Sequence, residues 1–471
     1  MSSGPASRWR VLGIASVASF LVYLDVTVVN VAFPDIEGGF PDASRAGLSW
    51  VLAAYNITFA ALLVPGGRIA DRVGRRRLFL AGLVVFCGAS AACSAAPSAE
   101  ALIGARIVQA IGGAALVPAA QGLVLEAFPL RERSTAVSLW VAAGAVAAAL
   151  GPPLGGVIVE VGDWRWVFLV NLPIGLATLA WGAATLPESR DPAATRFPDP
   201  LGILLAGGSV GLLTLGIVQG GEWGWSSAAV LGSFAVSAAL GGGLVARSRG
   251  RANAAVDLRL FGVRSFSLAN AASVMMGIAF YGQIFAAVLF MTTVWGYSAL
   301  EAGLGLAPAP VAAAIAAGLG GRRAEGHPLL PMTIAGILAF VAGSLWLYAA
   351  LGAEPAYASE ILPGTLLLGA GSGLAVSMLA TRAAQSLPPA RFAVGGAVNS
   401  ATRQIGAALG VAIVVAVVGT PAPGDAVDAF AAGWLVIGGA AVGALALTAA
   451  MLRDPSAALS ATARRAGSGS R

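Results

Sequence analysis

The chain alternates long apolar stretches with short polar segments. Each apolar stretch is continuous over about 20 residues, as a membrane-spanning helix requires, and lacks the alternation of a β-barrel strand. This pattern predicts an all-α polytopic membrane protein. We predict fourteen spans, at Val11–Phe33, Trp50–Gly67, Leu78–Ala96, Leu102–Leu125, Ala136–Val159, Val167–Leu186, Leu201–Gly220, Ala228–Val245, Leu268–Val294, Ala302–Gly320, Leu330–Leu351, Ile361–Ala384, Val394–Val418 and Ala429–Leu452.

Composition agrees with this class, since 58% of the 471 residues are hydrophobic and only 11% are charged. Soluble domains carry about 25% charged residues. The net charge of +6 comes from arginines in short loops rather than on one face, so nucleic acid is not an expected partner. The chain has no lysine, so the phosphate-binding loop of nucleotide-driven pumps is excluded.

The arginines also predict an orientation in the membrane. With the N-terminus in the cytoplasm, all but four of the 28 basic residues fall on the cytoplasmic side. Arg45 and Arg165 fall outside, and Arg106 and Arg403 fall within spans. If the number of spans early in the chain were wrong by one, every later loop would be assigned to the opposite side of the membrane. We therefore expect both termini to be cytoplasmic.

The longer polar connections divide the chain into predicted domains. Residues 1–186 form an N-terminal six-helix bundle, and residues 187–264 form a linker with two additional transmembrane helices. Residues 265–452 form a C-terminal six-helix bundle, and residues 453–471 form a disordered cytoplasmic tail. Paired bundles with a central site are typical of secondary transporters.

Asp25, within Leu24–Pro34, is the only acidic residue expected well inside a span. A charge at that depth costs about 2.5–3.5 kcal/mol on insertion scales and marks a candidate functional site. Helix geometry places Arg106 at a similar depth, within reach of Asp25. The pair could couple proton binding to transport, or it could be a static ion pair that fixes two helices.

The segment Gly67–Arg77 is expected to be a cytoplasmic loop with a glycine at each tight turn and an acid among arginines. This string resembles the signature loop of the major facilitator superfamily. The resemblance implies the two-bundle fold of that family and a gate that closes the cytoplasmic side in one state. The gate residues are Gly67, Arg68, Asp71, Arg72, Gly74, Arg75 and Arg76.

Other segments resemble the fourteen-helix drug:proton antiporter branch of that superfamily. They are Leu24–Pro34, Ala105–Gly113, Gly151–Gly156 and Trp164–Gly175, with weaker matches at Val256–Phe261 and Gly296–Leu304. The resemblance implies that Arg106 takes part in proton transfer. It also implies an antiporter kink motif that bends the fifth span and packs it tightly, made of Gly151, Pro152, Pro153, Gly155 and Gly156.

Polar and aromatic residues within the spans are candidates for a largely apolar substrate cavity. They are Tyr23, Asn30, Tyr55, Asn56, Gln109, Gln121, Trp140, Tyr281, Gln283, Asn399 and Arg403. Arg403 has two interpretations: it bonds neighbouring amides or carbonyls structurally, or it faces an acidic or carbonyl-rich substrate.

The leading hypothesis is a proton-coupled antiporter that exports hydrophobic or amphipathic drugs and antibiotics from a bacterial cytoplasm through the inner membrane. One alternative is a dedicated exporter of one endogenous metabolite, such as an antibiotic or a siderophore. Another is a non-transporting membrane sensor or scaffold. The expected partners are a small-molecule substrate, protons and the bilayer, and no enzyme activity, metal, nucleotide or other cofactor is expected. The oligomeric state stays open, and a monomer is compatible with the sequence.

Overall fold

The computed structural model describes residues 5–129, 132–190, 197–249, 251, 254, 257–324, 329–387, 392–422 and 424–453. Every regular element in these ranges is helical. The helices are α1 (Pro5–Val31), α2 (Phe33–Gly39), α3 (Arg45–Leu48), α4 (Trp50–Val73), α5 (Arg75–Ser94), α6 (Ala99–Ala127), α7 (Arg133–Val161), α8 (Trp166–Leu169), α9 (Asn171–Thr185), α10 (Pro200–Trp223), α11 (Ala228–Ser248), α12 (Arg264–Thr293), α13 (Ala299–Leu306), α14 (Pro308–Ala324), α15 (Leu329–Ala350), α16 (Ile361–Gln385), α17 (Phe392–Val418) and α18 (Ala426–Ala450).

Thirteen helices among the described residues are long and apolar enough to cross a membrane. The prediction of an all-helical, multi-pass membrane protein is therefore confirmed. The span predicted at Ala136–Val159 falls in α7, whose described apolar stretch, Leu150–Val161, is shorter than the others. The count of fourteen and the cytoplasmic position of both termini stay predictions. The predicted tail lies outside the described residues, except for Arg453.

The helices pack as two groups joined by a helical pair. In the first group, α6 packs against α4 and α5, and α1 packs against α7. In the second group, α12 packs against α17 and α18, and α16 packs against α14 and α15. Helices α10 and α11 pack on each other, and α10 also touches α4 and α17. The predicted division at residues 187–264 stays a prediction.

The most extensive direct contacts between the groups are α4 against α17 and α7 against α13. We call the end of the molecule where α1 stops, at Val31, the outer end, because the arginine pattern predicts that it faces away from the cytoplasm. The opposite end is the inner end. Near the inner end Arg247 of α11 bonds the Asp199 carboxylate, with Nη2 at 2.9 Å from Oδ1. This hydrogen bond lowers the pKa of Asp199 and fixes the helical pair.

The prediction that Gly67–Arg77 forms a loop is wrong. Helix α4 continues to Val73, Gly74 alone makes the turn with a φ of 124°, and α5 begins at Arg75. Gly67 is helical, and a Cβ atom on it would lie 3.5 Å from the Pro118 side chain of α6. This is an ordinary contact distance, so Gly67 neither makes a turn nor needs to be small; α4 approaches α6 most closely at Gly66, where a Cβ atom would overlap the carbonyl oxygen of Ala114.

Close helix contact in the first group depends on Gly112 of α6. A Cβ atom there would lie 2.6 Å from the backbone nitrogen of Phe86 and 2.9 Å from the carbonyl oxygen of Gly82, both in α5. Backbone atoms cannot rotate away as a side chain can. On the same helix a Cβ atom on Gly104 would meet no atom within 4 Å.

We predict that Gly112→Val destabilises the purified protein by about 1–3 kcal/mol, because overpacking forces α5 and α6 apart. The thermal unfolding midpoint in detergent measures the effect. Gly104→Val is the matched control and is expected to unfold at the wild-type midpoint. Equal midpoints for both variants would contradict the role of close α5–α6 contact.

Candidate functional site

Asp25 and Arg106 form an ion pair in the interior of the first group. Arg106 Nη1 of α6 donates to Asp25 Oδ2 of α1 at 2.5 Å, and each residue is only 1% exposed. The two side chains that helix depth predicted to approach each other are therefore in contact. Their role in proton coupling stays a prediction.

Two neutral side chains complete the hydrogen bonding of the Asp25 carboxylate, and a third supports them. Its Oδ1 accepts from Gln109 Nε2 at 2.8 Å and from Asn171 Nδ2 at 2.7 Å. Ser90 Oγ of α5 accepts from the same Gln109 nitrogen at 2.8 Å. We call Asp25, Ser90, Arg106, Gln109 and Asn171 the Asp25 cluster. Its members come from α1, α5, α6 and α9, so the cluster ties four helices of the first group together.

The guanidinium of Arg106 is also enclosed by aromatic rings. It lies 4.1 Å from the centroid of Tyr55 and 5.7 Å from that of Phe168, distances at which a cation is attracted to a ring face. Its Nε donates to the carbonyl oxygen of Val51 at 3.1 Å. The Tyr55 hydroxyl and Asn171 Oδ1 are buried and have no hydrogen-bond partner among the described residues. Two polar groups beside the ion pair are therefore able to form further hydrogen bonds.

Asp25 and Arg106 were predicted from the sequence to be site residues. Ser90 and Asn171 were not. Gln109 was expected in the cavity, yet it is fully buried in the cluster, because it lies one turn after Arg106 on the same face of α6. An asparagine at the start of an apolar helix is the signal that could have identified Asn171.

A second polar group lies where the two helix groups meet. Tyr281 of α12 donates its hydroxyl to Gln404 Oε1 of α17 at 3.2 Å. Gln404 Nε2 then approaches Asn56 Oδ1 of α4 at 3.4 Å. The side chain of Arg403 lies beside the Tyr281 hydroxyl and is half-buried. We call Asn56, Tyr281, Arg403 and Gln404 the seam cluster.

Most of the other predicted cavity residues have local or packing contacts. Asn30 donates to Val26 O of its own helix at 2.6 Å, and Trp140 donates to Ala15 O at 3.2 Å. Asn399 bonds the Ser273 hydroxyl within the second group at 2.7 Å. The structure thus divides the predicted cavity residues between the Asp25 cluster, the seam cluster and helix packing. Gln283 is buried in α12, while Gln121 and Tyr23 are half-buried in α6 and α1.

The predicted kink motif lies between α1 and the second helix group. A Cβ atom on Gly151 would lie 2.6 Å from Thr27 Cβ, and one on Gly155 would lie 3.1 Å from Val28 O. On the other side, a Cβ atom on Gly156 would lie 2.5 Å from Leu300 Cα of α13. Helix α7 is continuous through Pro152 and Pro153. The motif therefore brings α7 close both to the stretch after Asp25 and to the opposite group.

The gate residues near Gly74 bond mainly within the first group. Asp71 Oδ1 accepts from Arg75 Nη2 at 2.8 Å, and Arg75 Nη1 pairs with Glu126 of α6 at 2.5 Å. Arg76 donates to Ala183 O of α9 at 2.7 Å. Two further arginines reach the linker: Arg72 covers the Phe197 ring at 3.8 Å, and Arg68 donates to Ala254 O.

The outer end of the seam between the groups is closed. Arg45 forms two bonds to the Glu37 carboxylate, at 2.8 and 3.2 Å, and donates to Gly419 O after α17 at 3.0 Å. We call Glu37, Arg45 and Gly419 the outer latch. Nearby, burial raises the pKa of Asp35, and the charges of Asp163 and Glu160 raise it further.

The seam contains a cavity further toward the inner end. Ala53 and Ile57 of α4 touch Ala408 of α17 in one apolar cluster near the outer end. One helix turn inward, a cavity of about 200 Å³ lies between α4, α10 and α17. Ala60, Val64 and Val398 are among its apolar lining residues. Helices α4 and α17 are therefore in contact near the outer end, and one turn further inward they line a cavity.

A bundle of apolar helices with a buried ion pair defines a multi-pass membrane protein with charge in its interior. Comparison with known proteins agrees. The family model of the Major Facilitator Superfamily matches residues 15–411, and this chain belongs to that superfamily.

Two curated relatives are similar over most of the chain. The multidrug resistance protein Stp of Mycobacterium tuberculosis (strain CDC 1551 / Oshkosh) is 34% identical, covering 84% of this chain and 73% of the relative. The cephamycin export protein CmcT of Amycolatopsis lactamdurans is 35% identical, covering 90% of this chain and 88% of the relative. The predicted resemblance to drug and antibiotic exporters is thus confirmed.

A solved structure has the same fold. It is a bacterial homolog of the human lysosomal transporter Spinster in an inward-facing and occupied conformation, with a TM-score of 0.66 and 17% identity. The match covers 96% of this chain and 98% of that chain.

We predict that Asp25→Leu lowers the free energy of unfolding by about 3–5 kcal/mol, because it leaves the permanently charged Arg106 buried without a counter-ion. The double variant Asp25→Leu/Arg106→Met is expected to recover most of that loss, since two apolar side chains pack without charge. Unfolding in detergent measures both.

The matched surface control is Asp163→Leu, which removes the partner of Arg165 at the outer surface. Exposed pairs contribute about 0–1 kcal/mol, so this variant is expected to unfold close to the wild type. A double variant less stable than Asp25→Leu would contradict the assignment of Arg106 as a charge that depends on Asp25.

Proposed function

We propose that this protein is a proton-coupled antiporter that exports hydrophobic or amphipathic small molecules, including drugs and antibiotics, by alternating access. The observation that carries the proposal is the Asp25–Arg106 pair, which is 1% exposed and lies inside membrane-spanning helices. An ionisable residue in such a place is expensive to insert and is by default functional.

The bonding of the carboxylate supports a role in proton exchange. Asp25 accepts hydrogen bonds from Arg106, Gln109 and Asn171, so its carboxylate is tied to three side chains on two other helices. A proton on Asp25 removes the counter-ion of Arg106. The cluster must then rearrange, so protonation and helix position are linked.

A continuous series of contacts leads from Asp25 to the opposite helix group. Thr27 and Val28 of α1 face Gly151 and Gly155 of α7, and Gly156 of α7 faces α13. A shift of α1 that follows protonation is therefore transmitted to the contact between α7 and α13. Rocking of one group against the other is the movement that alternating access needs.

We assign the observed arrangement to the inward-facing state. The outer latch and the Ala53–Ala408 contact close the outer side, while the cavity near Val64 lies between α4 and α17 further inward. The proposal places the protein in the inner membrane of a bacterium with both termini in the cytoplasm, as the arginine pattern predicts.

A second candidate is export of one compound made by the cell itself. The names of several relatives support it: a cephamycin export protein, a tetracenomycin C resistance and export protein and a probable actinorhodin transporter. Export of many unrelated drugs by cells that express the protein favours the first candidate. Protection against a single compound favours the second.

We predict that Asp25→Asn abolishes export driven by a proton gradient, because an amide cannot carry the proton. The measurement is uphill drug transport by proteoliposomes under an imposed pH gradient. Asparagine keeps an oxygen that accepts from Arg106, so we expect a folded variant, checked by gel filtration.

Glu222→Gln is the matched control, since Glu222 is an exposed acid in α10, and it is expected to transport like the wild type. Exchange of labelled for unlabelled drug without a pH gradient is expected to persist in Asp25→Asn. Undiminished uphill export by that variant would overturn the assignment of Asp25.

A further prediction concerns the outer latch. Arg45→Ala removes the bonds to Glu37 and Gly419, so the outer side is expected to open about tenfold more often. The measurement is the rate at which a membrane-impermeant maleimide labels Ala53→Cys in the same protein from the outer side. Labelling of the two buried native cysteines is subtracted with a protein that lacks Ala53→Cys.

Arg165→Ala is the matched control, because Arg165 is also on the outer side but pairs with Asp163 two residues away. It is expected to leave the labelling rate unchanged. A labelling rate in Arg45→Ala equal to that of the control would show that the latch does not close the seam.

A further inference from the structure

Arg403 is the second charge deep inside the helices, and its surroundings differ from those of Arg106. Among the described residues, no carboxylate forms an ion pair with Arg403. Its polar neighbour is the Tyr281 hydroxyl, which is neutral and already donates to Gln404. The charge of Arg106 is balanced by Asp25, whereas that of Arg403 is not balanced within the described part of the protein.

Among the described residues of the second group, no acidic residue lies well inside a span, so none of them can be a buried partner of Arg403. The acids there lie at helix ends or in loops, at Glu301, Glu354, Glu360, Asp425 and Asp428. The field around Arg403 is therefore positive. Such a site disfavours a cationic ligand and favours an anionic one.

Arg403 is also accessible. Along α17, Ser400 lies four residues after Gly396, and Arg403 lies three residues after Ser400. The three residues therefore share one helix face. All three are half-buried, although their neighbours Asn399 and Gln404 are buried. This face runs from the inner end of α17 to the seam cluster. A ligand that enters from the inner side can therefore reach the guanidinium.

The seam cluster holds Arg403 in a defined position. Asn56 accepts from Gln404, Gln404 accepts from Tyr281, and the Tyr281 hydroxyl lies beside Arg403. This series of contacts starts on α4 of the first group and ends on α17 of the second. A group that binds Arg403 is thus held at the seam that must open and close.

We propose that the seam is a binding site for small molecules that carry an ionised acidic group, such as a carboxylate or a phenolate, with Arg403 as the anchoring cation. This inference rests on the proposed transport function and names its substrate class. An unbalanced charge in a membrane span costs about 2.5–3.5 kcal/mol on insertion scales, and an anionic ligand offsets that cost. The planar guanidinium suits two oxygens of one carboxylate.

The test uses two dyes that share a xanthene ring system, fluorescein, which is anionic at pH 8, and rhodamine 6G, which is cationic. Binding to the purified protein in detergent is measured by fluorescence anisotropy. We expect the wild type to bind fluorescein more tightly than rhodamine 6G. Arg403→Gln is expected to weaken fluorescein binding by about 10- to 100-fold, the range of a charge-assisted hydrogen bond, without weakening rhodamine 6G binding.

Two further variants make the result specific. Arg403→Lys keeps the charge and is expected to lose less than about tenfold in fluorescein binding. Arg259→Gln removes an exposed arginine outside the seam and is expected to bind both dyes like the wild type. Gel filtration and the unfolding midpoint check that each variant is folded.

The proposal is overturned if the wild type shows no detectable fluorescein binding, if it prefers rhodamine 6G, or if Arg403→Gln binds fluorescein as tightly as the wild type. Binding in detergent needs no proton gradient, so the comparison of the wild type with Arg403→Gln is independent of the transport measurement on Asp25→Asn. Normal uphill export by Asp25→Asn would therefore refute proton coupling through Asp25 while leaving the charge preference measurable.

Discussion

The first helix group depends on one buried ion pair, Asp25 with Arg106. Two apolar side chains of similar volume would hold α1 and α6 together at least as well, because a buried pair must recover the cost of taking both charges out of water. Stability therefore does not explain its presence. Under the proposed function the pair adds sensitivity to a proton, since a change of one charge at Asp25 would alter the bonding of four helices.

The two charged centres have different electrostatic settings. Arg106 has a counter-ion, two further hydrogen-bond acceptors (Val51 O and Gln109 Oε1) and two aromatic rings, so its surroundings satisfy it without a ligand. Arg403 has a neutral hydroxyl and an accessible face. Because the two arginines lie in different surroundings, the proposed proton exchange can take place in the first group and the proposed ligand contact at the seam. The contacts among α1, α7 and α13 connect the two sites.

The sequence carried enough information to predict the membrane class, the family and the depth of Asp25 and Arg106. A helix rises 1.5 Å for each residue, so position along a span converts directly into depth. The direction in which a side chain faces could not be predicted in this way. It depends on how the helix is rotated about its axis, which is set by packing partners that a single sequence does not reveal. Gln109 was for this reason expected in the cavity, and Ser90 and Asn171 were not expected at the site. The helix over Gly67–Val73 was not predicted, because a glycine is equally compatible with a turn and with a close contact between helices.

Gly74 has a mechanical consequence. It is the whole connection between α4 and α5, and these two helices also pack on α6. One residue offers two backbone dihedral angles, too few to absorb a sliding or tilting movement between two long helices. Helices α4, α5 and α6 must therefore travel as one rigid body.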